Sequence, residues 1–528
     1  MALFSVFQRL SQAPTNPHMP PTPQAFDVAD LYRGPLDEIA DGRATTGPSG
    51  LDEKLRQAYF WIVNTAIISP HYDIEYNDGP AQNYVIGDSK RTLSLPSAQS
   101  YSSYVLLSVL TFAARRKCLF VGGPGRGKTA SAVLMGVLAG YPVREVRRAM
   151  QHGHPQLTIA DLLGNPLPAD LVAAQSMDDI RIAWRAWLGM RVKIVDEYNR
   201  IPTRTQSALL TVMGDNYAEV LNHVFECPEA AWYLTANEDQ GGGTYAVIEA
   251  LRDRIDVVVQ ALAFNPRFLG ELVQRIEQNA RPEEMVPPQI IFSEAEVDAM
   301  GTAIRAIALP EPVRRRIEFF VSQFEFMEHA GAHLETMTKD TARLSQADWA
   351  ALTAADDGRD RLKDIGCQTR NGVSVRTLMT VLVYVKALAY FRGNVEVELE
   401  DIRQILPFVL QDKLQPDHDA PFFALPENIA FRSDRIGWLR KLFDLSCEEY
   451  VRLDLDRRDP VGELAREMAQ GLDGLNERET RSRLARVEKL VSERTRGRKL
   501  YGPAYDDLLQ LKYLHQRYTN YLRWLRER

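Results

Sequence analysis

The sequence predicts a three-layer α/β domain built on a parallel sheet, followed by a region that is helical throughout. Short apolar segments alternate with helical ones from Ser97 onward, and after Asn265 only helical periodicity remains. Strands of a parallel sheet are apolar along their whole length because helices cover both faces of the sheet. Four segments have this character, at residues 117–121, 192–195, 231–234 and 255–259.

The composition is that of an ordinary globular protein. The chain has 528 residues, of which 45% are hydrophobic and 25% are charged, and this length suggests about three domains. The formal net charge is −7, which excludes a polycation that coats nucleic acid through its overall charge.

No stretch of the sequence has the pattern of a membrane span. The longest apolar stretch, residues 105–114, is well short of the roughly 18 residues that a span requires, and the start lacks the pattern of a signal peptide. The cysteines form no C-x-x-C pair, as is typical of thiols in a reducing compartment. We therefore predict a cytoplasmic protein. Its four predicted buried thiols are Cys118, Cys227, Cys367 and Cys447.

Changes in composition divide the chain into five parts. Proline crowds the first part, which we predict to be a flexible segment, and the second part has no clear pattern. The parts are a Pro-rich segment at 1–50, an unassigned region at 51–96, the sheet domain at 97–262, a helical region at 263–420 with an insertion at about 331–370, and a charged helical extension at 421–528.

The loop after the first apolar strand has the pattern of a phosphate-binding loop, G-x-x-x-x-G-K-[ST]. Such glycines let backbone N–H groups face phosphates, and the helix that follows presents its positive N-terminus to them. Lys128 is then expected beside the β- and γ-phosphates of ATP, and Thr129 is expected to offer its hydroxyl to Mg²⁺. A chance match in a glycine-rich turn is the alternative, and the flanking strand and helix argue against it. The predicted nucleotide-binding residues are Gly122, Gly123, Pro124, Gly125, Arg126, Gly127, Lys128, Thr129 and Ala130.

Polar side chains follow the next two strands. Asp196 and Glu197 end the strand at 192–195, and Asn237 ends the strand at 231–234. We predict that Asp196 holds Mg²⁺ together with Thr129, while Glu197 polarises the attacking water. Asn237 is expected to fix that water or the γ-phosphate. Taken alone, acids or an asparagine after a strand are often ordinary turn residues, and their combination with the loop favours the functional interpretation.

These three elements, in this order, resemble an AAA+ ATPase. Residues 195–210 resemble the MoxR branch of that family, whose pattern is DE-x-NR-x-P-x-x-TQ-x-x-LL. Residues 157–164 are similar to the region of the family's helix-2 insertion, 243–255 to its GTYPLPEAQLDRF stretch, and 372–376 to the GASPR that opens the last helices of its lid. The resemblance runs from about residue 97 to 414 and makes the helical region at 263–420 the lid.

The resemblance implies a role for each matching position. Lys128 and Thr129 match the Walker A motif, and Asp196 and Glu197 match the Walker B motif. Asn237 matches the sensor-1 residue. Three arginines match residues that act on the γ-phosphate: Arg254 is the arginine finger supplied to the neighbouring subunit, Arg252 is a candidate second finger, and Arg376 is the sensor-2 arginine that reaches from the lid.

The resemblance also implies an activity and partners. The implied activity is Mg²⁺-dependent ATP hydrolysis in a ring, most often a hexamer. The implied role is chaperone-like remodelling of a protein complex, often together with a partner that has a von Willebrand factor A domain. Two other functions stay open. One is a nucleic-acid-stimulated motor or nuclease-associated ATPase, and the other is a scaffold that binds ATP without turning it over.

Two further segments have an open interpretation. His152 and His154 lack a third ligand nearby, so we predict a polar loop and no zinc site. Residues 481–528 contain 13 Lys and Arg against 5 Asp and Glu, interleaved with aromatic residues. This pattern predicts an amphipathic helix that docks a protein, with a nucleic-acid surface as the alternative. The predicted buried or partner-facing stripe is Tyr513, Tyr518, Tyr521 and Leu525.

Overall fold

The computed structural model describes ten stretches of the chain. They are residues 50–68, 71–77, 82–89, 91–237, 249–261, 264–279, 281–324, 365–457, 459–496 and 503–527. The predicted Pro-rich segment lies outside the described residues except for Gly50, and so does the predicted insertion up to residue 364.

The region at 51–96 contains a helix and two antiparallel strand pairs. Helix α1 (Leu51–Trp61) continues into a π-helical turn (Ile62–Ala66). Strand β1 (Ile74–Tyr76) pairs with β4 (Gln99–Tyr101), and β2 (Gln82–Val85) forms a hairpin with β3 (Thr92–Leu95). Every residue of β2 and β3 is exposed, whereas α1 is anchored in the main core through Leu55 and Tyr59.

The next region is the predicted α/β domain. Five strands of this domain form one sheet in which all neighbours are parallel, in the order β13-β5-β12-β9-β6. The α/β prediction is therefore confirmed. The elements are α2 (Ser103–Ala114), β5 (Lys117–Val121), α3 (Lys128–Leu138), α4 (Val143–Ala149), β6 (Gln151–His152), α5 (Ile159–Leu163), β7 (Gly164–Pro166), α6 (Pro168–Ala173), β8 (Ile182–Trp184), β9 (Val192–Asp196), α7 (Thr203–Asp215), β10 (Tyr217–Val220), β11 (His223–Glu226), β12 (Ala231–Ala236), α8 (Glu249–Asp253) and β13 (Val257–Gln260).

The sheet has an edge strand that the sequence analysis missed. Strand β6 contains only Gln151 and His152 and pairs with the end of β9. Two residues are too few to leave a periodic pattern in the sequence. The prediction that His152 lies in a polar loop is thus wrong, because the residue belongs to the sheet beside Asp196.

Both faces of the sheet are buried, which explains its apolar strands. One face contributes Phe120 and Tyr233 to the larger core, and the other contributes Val195 and Leu234 to a second core with α7.

Lys193 is a charged residue within the apolar strand β9. Its side chain is buried, its Nζ donates a hydrogen bond to the carbonyl oxygen of Met190 at 2.5 Å, and burial lowers its pKa to about 8.

The next described helices are α9 (Leu269–Glu277), α10 (Glu294–Ala306), α11 (Glu311–Ser322), α12 (Val375–Phe391), α13 (Leu399–Leu410) and α14 (Arg435–Arg452). Those from α10 to α14 extend the larger core, whereas α9 has no buried residue. Helix α12 is apolar along most of its length and packs against α2, α10 and α13. Helix α14, which we had assigned to the extension, adds Trp438, Leu442 and Phe443 to this same core.

Three last helices form a bundle with a core of its own, which we call the C-terminal bundle. They are α15 (Pro460–Ala469), α16 (Glu477–Thr495) and α17 (Pro503–Glu527). Their buried side chains include Leu464, Val487 and Leu511, and these belong to neither of the other cores. The predicted helical extension is confirmed.

The predicted aromatic stripe on α17 is partly wrong. Tyr518 is buried together with Leu511, Leu514 and Leu522, but Tyr513 is 55% exposed. The buried residues Leu511, Leu514, Tyr518 and Leu522 follow one another at spacings of three or four residues, so they lie on one face of α17. Tyr513 does not lie on that face.

Two of the four cysteines are buried as predicted, namely Cys118 and Cys227, whereas Cys367 and Cys447 are partly exposed. Across the described ranges, we find no helix with the length and hydrophobicity that a membrane crossing demands.

Candidate active site

The predicted phosphate-binding loop connects β5 to α3 at the carboxyl end of the sheet. Gly125 and Gly127 have φ angles of 74° and 75°, a left-handed conformation that favours glycine. At Gly122 a Cβ atom would lie 2.7 Å from the carbonyl oxygen of Ala261, so a side chain has no room there. Helix α3 begins at Lys128, with its N-terminus at the loop.

Lys128 is held inside the loop. It is 7% exposed, and its Nζ donates hydrogen bonds to the carbonyl oxygens of Gly122 at 2.6 Å and Gly123 at 2.8 Å. A third bond, of 2.9 Å, goes to Oδ1 of Asn237. The structure therefore brings together two residues that lie more than a hundred positions apart in the sequence.

Oxygen atoms from one helix, α3, and two strands, β9 and β12, meet beside Lys128. The hydroxyl of Thr129 donates to Oδ1 of Asp196 at 2.9 Å, and the hydroxyl of Thr235 donates to the same oxygen at 2.6 Å. Mg²⁺ prefers oxygen ligands and keeps several waters or phosphate oxygens beside one or two protein groups. The donor set of Thr129 and Asp196 fits this ion.

Glu197 lies next to this oxygen cluster in a left-handed conformation, with φ of 53°. Its backbone N–H donates to the hydroxyl oxygen of Thr235 at 2.9 Å, and Nδ2 of Asn237 donates to its Oε1 at 3.1 Å. Its Oε2 is 3.3 Å from Nη1 of Arg200. Asn237 thus links Lys128 to Glu197.

Thr235 and Gly153 complete the site, and neither was among the predicted site residues. Thr235 contacts both acids, and the signal for it was a polar residue inside the apolar strand β12. The N–H of Gly153 donates to the carbonyl oxygen of Asp196 at 2.7 Å. A Cβ atom at position 153 would lie only 2.2 Å from the carbonyl oxygen of Glu197, so a side chain has no room there. No sequence pattern reveals this second contact.

His152 lies at the margin of the site. Its Nδ1 is 3.6 Å from Oδ2 of Asp196. Within the stretches that the structure describes, no group of three His, Cys, Asp or Glu side chains could hold a metal ion, so the zinc interpretation gains no support.

A cavity of about 570 Å³ adjoins the phosphate-binding loop. It lies between the end of the π-helical turn, the start of α2, and α9. The hydroxyl of Tyr104 donates to that of Ser131 at 2.9 Å in its wall, and burial raises the pKa of Tyr104 to about 12. Arg275 closes one side, because its Nη1 donates to the carbonyl oxygen of Ala66 at 3.0 Å.

Arg254 and Arg376 lie at the opposite, amino end of the strands. Asp256 accepts a hydrogen bond of 2.9 Å from the N–H of Lys117, the first residue of β5. At about 3.3 Å per residue, β5 places the phosphate-binding loop ~13 Å from that point. Arg254 lies two residues before Asp256 in the chain, so it lies at this end of the sheet. Burial lowers the pKa of Lys117.

The structure therefore does not bring Arg376 to the phosphate-binding loop of its own subunit. The hydroxyl of Thr380 donates to Oδ1 of Asp256 at 2.7 Å, which fixes the start of α12 at the amino end of the sheet. There Arg376 forms an ion pair with Asp253, the neighbour of Arg254.

Arg252 lies in α8, two residues before Arg254, and is exposed.

Two family models match the chain in this order. Residues 117–257 match "ATPase family associated with various cellular activities (AAA)", and residues 363–428 match "AAA lid domain". The chain is also similar to "Chaperone MoxR1" of Mycobacterium tuberculosis strain H37Rv, with 24% identity over 263 residues. That match covers 48% of this chain, and the chain spans 59% of the length of this relative.

A crystal structure of a presumed ATPase from Cytophaga hutchinsonii is similar over 64% of this chain and 89% of its own, with 17% identity and a TM-score of 0.44. Residues 117–257 and 363–428 thus resemble an AAA ATPase domain and its lid, and the similarity to a MoxR chaperone supports the predicted resemblance to MoxR-like AAA+ ATPases.

Proposed function

We propose that the protein hydrolyses ATP with Mg²⁺ and uses this energy, in an oligomeric ring, to remodel a partner protein complex. One observation carries the proposal. Asn237 joins Lys128 to Glu197, while Asp196 joins Thr129 to Thr235, so that a phosphate-binding lysine, a metal-binding oxygen pair and a base converge at one point.

The residues of this site then have distinct tasks. The N–H groups of the loop and Lys128 bind the phosphates, and Glu197 polarises the attacking water that Asn237 orients. Thr129 and Asp196 would hold Mg²⁺, which when bound neutralises charge that develops on the phosphate oxygens. The cavity of about 570 Å³ beside the loop is large enough for the adenosine group.

The position of Arg254 and Arg376 supports a site shared between subunits. Both lie about one strand length from the loop of their own subunit, so they serve best the γ-phosphate of a neighbour. Head-to-tail contacts of this kind close into rings, and we propose a hexamer. In this arrangement Arg376 acts on the neighbouring site together with Arg254.

The remodelled substrate is proposed to be a protein, because the MoxR relative is named a chaperone. A partner with a von Willebrand factor A domain belongs to this proposal through the family resemblance. We also propose a cytoplasmic location, in keeping with the absence of a C-x-x-C pair from the sequence.

Two substitutions test the proposed chemistry. We expect Lys128→Ala to abolish turnover because ATP binding is lost, and Glu197→Gln to abolish turnover while binding is kept. Steady-state hydrolysis with and without Mg²⁺, measured beside the binding of a fluorescent ATP analogue, separates the two effects. Wild-type turnover by the Glu197→Gln protein would refute the assignment of the base.

A nucleic-acid-stimulated motor is the second candidate, because Tyr513 and Trp524 are exposed on α17. Arg517 lies over the ring of Tyr513, with its guanidinium carbon 5.6 Å from the ring centroid. Such aromatic and arginine surfaces can stack bases. Against this, Arg523 and Arg526 form ion pairs with carboxylates, at 2.8 Å each, which weakens attraction for phosphates. Stimulation of hydrolysis by single-stranded DNA or RNA at physiological salt would favour the motor.

A further inference from the structure

We propose that Gly214 and Asp253 are positioning residues, which hold Arg254 and Arg376 on the surface that completes the neighbouring active site. The inference rests on the proposed function, because it concerns the same shared site. Each residue acts through one arginine, Gly214 through Arg254 and Asp253 through Arg376.

Gly214 provides the space in which the side chain of Arg254 lies. It is the last residue but one of α7, and a Cβ atom at this position would lie 2.2 Å from Nε and 2.9 Å from Cζ of Arg254. An added methyl group would therefore displace the guanidinium. Glycine within a helix lowers the stability of that helix by about 1 kcal/mol relative to alanine. Helix stability therefore does not explain why glycine occupies position 214.

Asp253 connects the lid to the helix that precedes Arg254. Its carboxylate pairs with Nη1 of Arg376 at the start of α12. Its carbonyl oxygen accepts a hydrogen bond of 3.1 Å from Nζ of Lys413, which follows α13. Asp253 is thus bound both from α12 and from the segment after α13, and it adjoins Arg254 in the chain.

The charge of Asp253 also suits this position. Its carboxylate attracts the guanidinium of Arg376 and limits where that group can lie. Arginine has five N–H donors, so Arg376 can pair with Asp253 through Nη1 and still donate to a phosphate through other nitrogens. Asp253 therefore orients Arg376 without having to release it.

The experiment compares Gly214→Ala and Asp253→Ala with a matched control, Gly301→Ala. Gly301 lies in α10, and a Cβ there would meet no atom closer than 3.8 Å. We expect both test variants to bind a non-hydrolysable ATP analogue as the wild type does and to lose turnover by about 10²-fold, the cost of a misplaced catalytic group. The control should keep its turnover, and both Gly→Ala variants should melt no lower than the wild type.

Mixing experiments separate a displaced arginine from a damaged fold. Lys128→Ala subunits have a defective pocket and an intact arginine surface, so mixing them with either test variant should restore turnover. Mixing Gly214→Ala with Asp253→Ala should restore none, because both are defective on the same surface. Loss of turnover in a single variant without rescue by the Lys128→Ala protein would overturn the inference.

An Arg254→Ala variant distinguishes this inference from the proposed function. If Arg254→Ala loses turnover while Gly214→Ala and Asp253→Ala keep it, the inference about Gly214 and Asp253 is wrong, but the proposal of an active site shared between subunits is retained. If Arg254→Ala itself hydrolyses ATP at the wild-type rate, the proposal of a shared active site is wrong.

Discussion

Thr235 connects the two acids of the proposed site with a single hydroxyl group. The hydroxyl donates to Asp196 and accepts from the N–H of Glu197, and the side chain is 1% exposed. A buried N–H without a partner costs about 1–3 kcal/mol. Thr235 therefore keeps the strained, left-handed backbone of Glu197 in place and orients the carboxylate of Asp196.

We predict that Thr235→Val lowers turnover by about 10–100-fold, the usual effect of losing a residue that orients a metal ligand. Thr235→Ser keeps the hydroxyl and should retain most of the activity. The readout is the turnover rate as a function of Mg²⁺ concentration, and the valine variant should need more Mg²⁺. Equal Mg²⁺ dependence in the valine and serine variants would contradict this role.

The residues with local patterns could be predicted from the sequence, and those defined by contacts across the sheet could not. Lys128 and Thr129 lie in one loop, and Asp196 and Glu197 follow one strand. Glycine is needed at position 153 because β6 adjoins β9 and brings the backbone of Glu197 close. A strand of two residues leaves no pattern in the sequence from which this pairing could be predicted. The placement of Arg376 depends on how α12 packs, which the resemblance did not determine.

At the scale of elements, the last part of the chain divides between two cores. Helix α14 belongs to the larger core, whereas α15 to α17 have a separate one. Ion pairs join the two, among them Arg315 with Asp459 at 2.6 Å and Arg466 with Glu311 at 3.5 Å. The sequence showed helices here, but burial decides which core each helix joins.

We predict that a chain ending at residue 459 folds and keeps its basal ATPase activity, because the C-terminal bundle contributes nothing to the larger core. A chain ending at residue 433 should not fold, since it lacks Trp438, Leu439, Leu442 and Phe443. Each buried side chain of this size contributes about 1.5–3 kcal/mol, against a total stability of about 5–15 kcal/mol. Thermal melting and hydrolysis assays on both truncations provide the check, and a fully active shorter chain would contradict the division.

At the scale of the whole molecule, the parallel sheet separates the two halves of the proposed site. All five strands run the same way, so the phosphate-binding loop and the acids lie at one end while Arg254 and Arg376 lie at the other. A parallel sheet places successive strand ends together, which is why Asp196, Glu197 and Asn237 were predictable as a group. The same geometry keeps the arginines away from the loop of their own subunit.

Turnover should therefore depend on protein concentration. We expect the rate per subunit to fall on dilution, as rings dissociate and each loop loses the arginines of its neighbour. Binding of a non-hydrolysable ATP analogue at saturating ligand should not fall, because Lys128 and the loop belong to one subunit. An arginine finger contributes about 10³–10⁵ in rate where GTPases have been measured, so the isolated subunit should be almost inactive. Sedimentation velocity over the same dilution series gives the fraction of single subunits. An unchanged rate per subunit, at concentrations where single subunits predominate, would show that each chain carries a complete site.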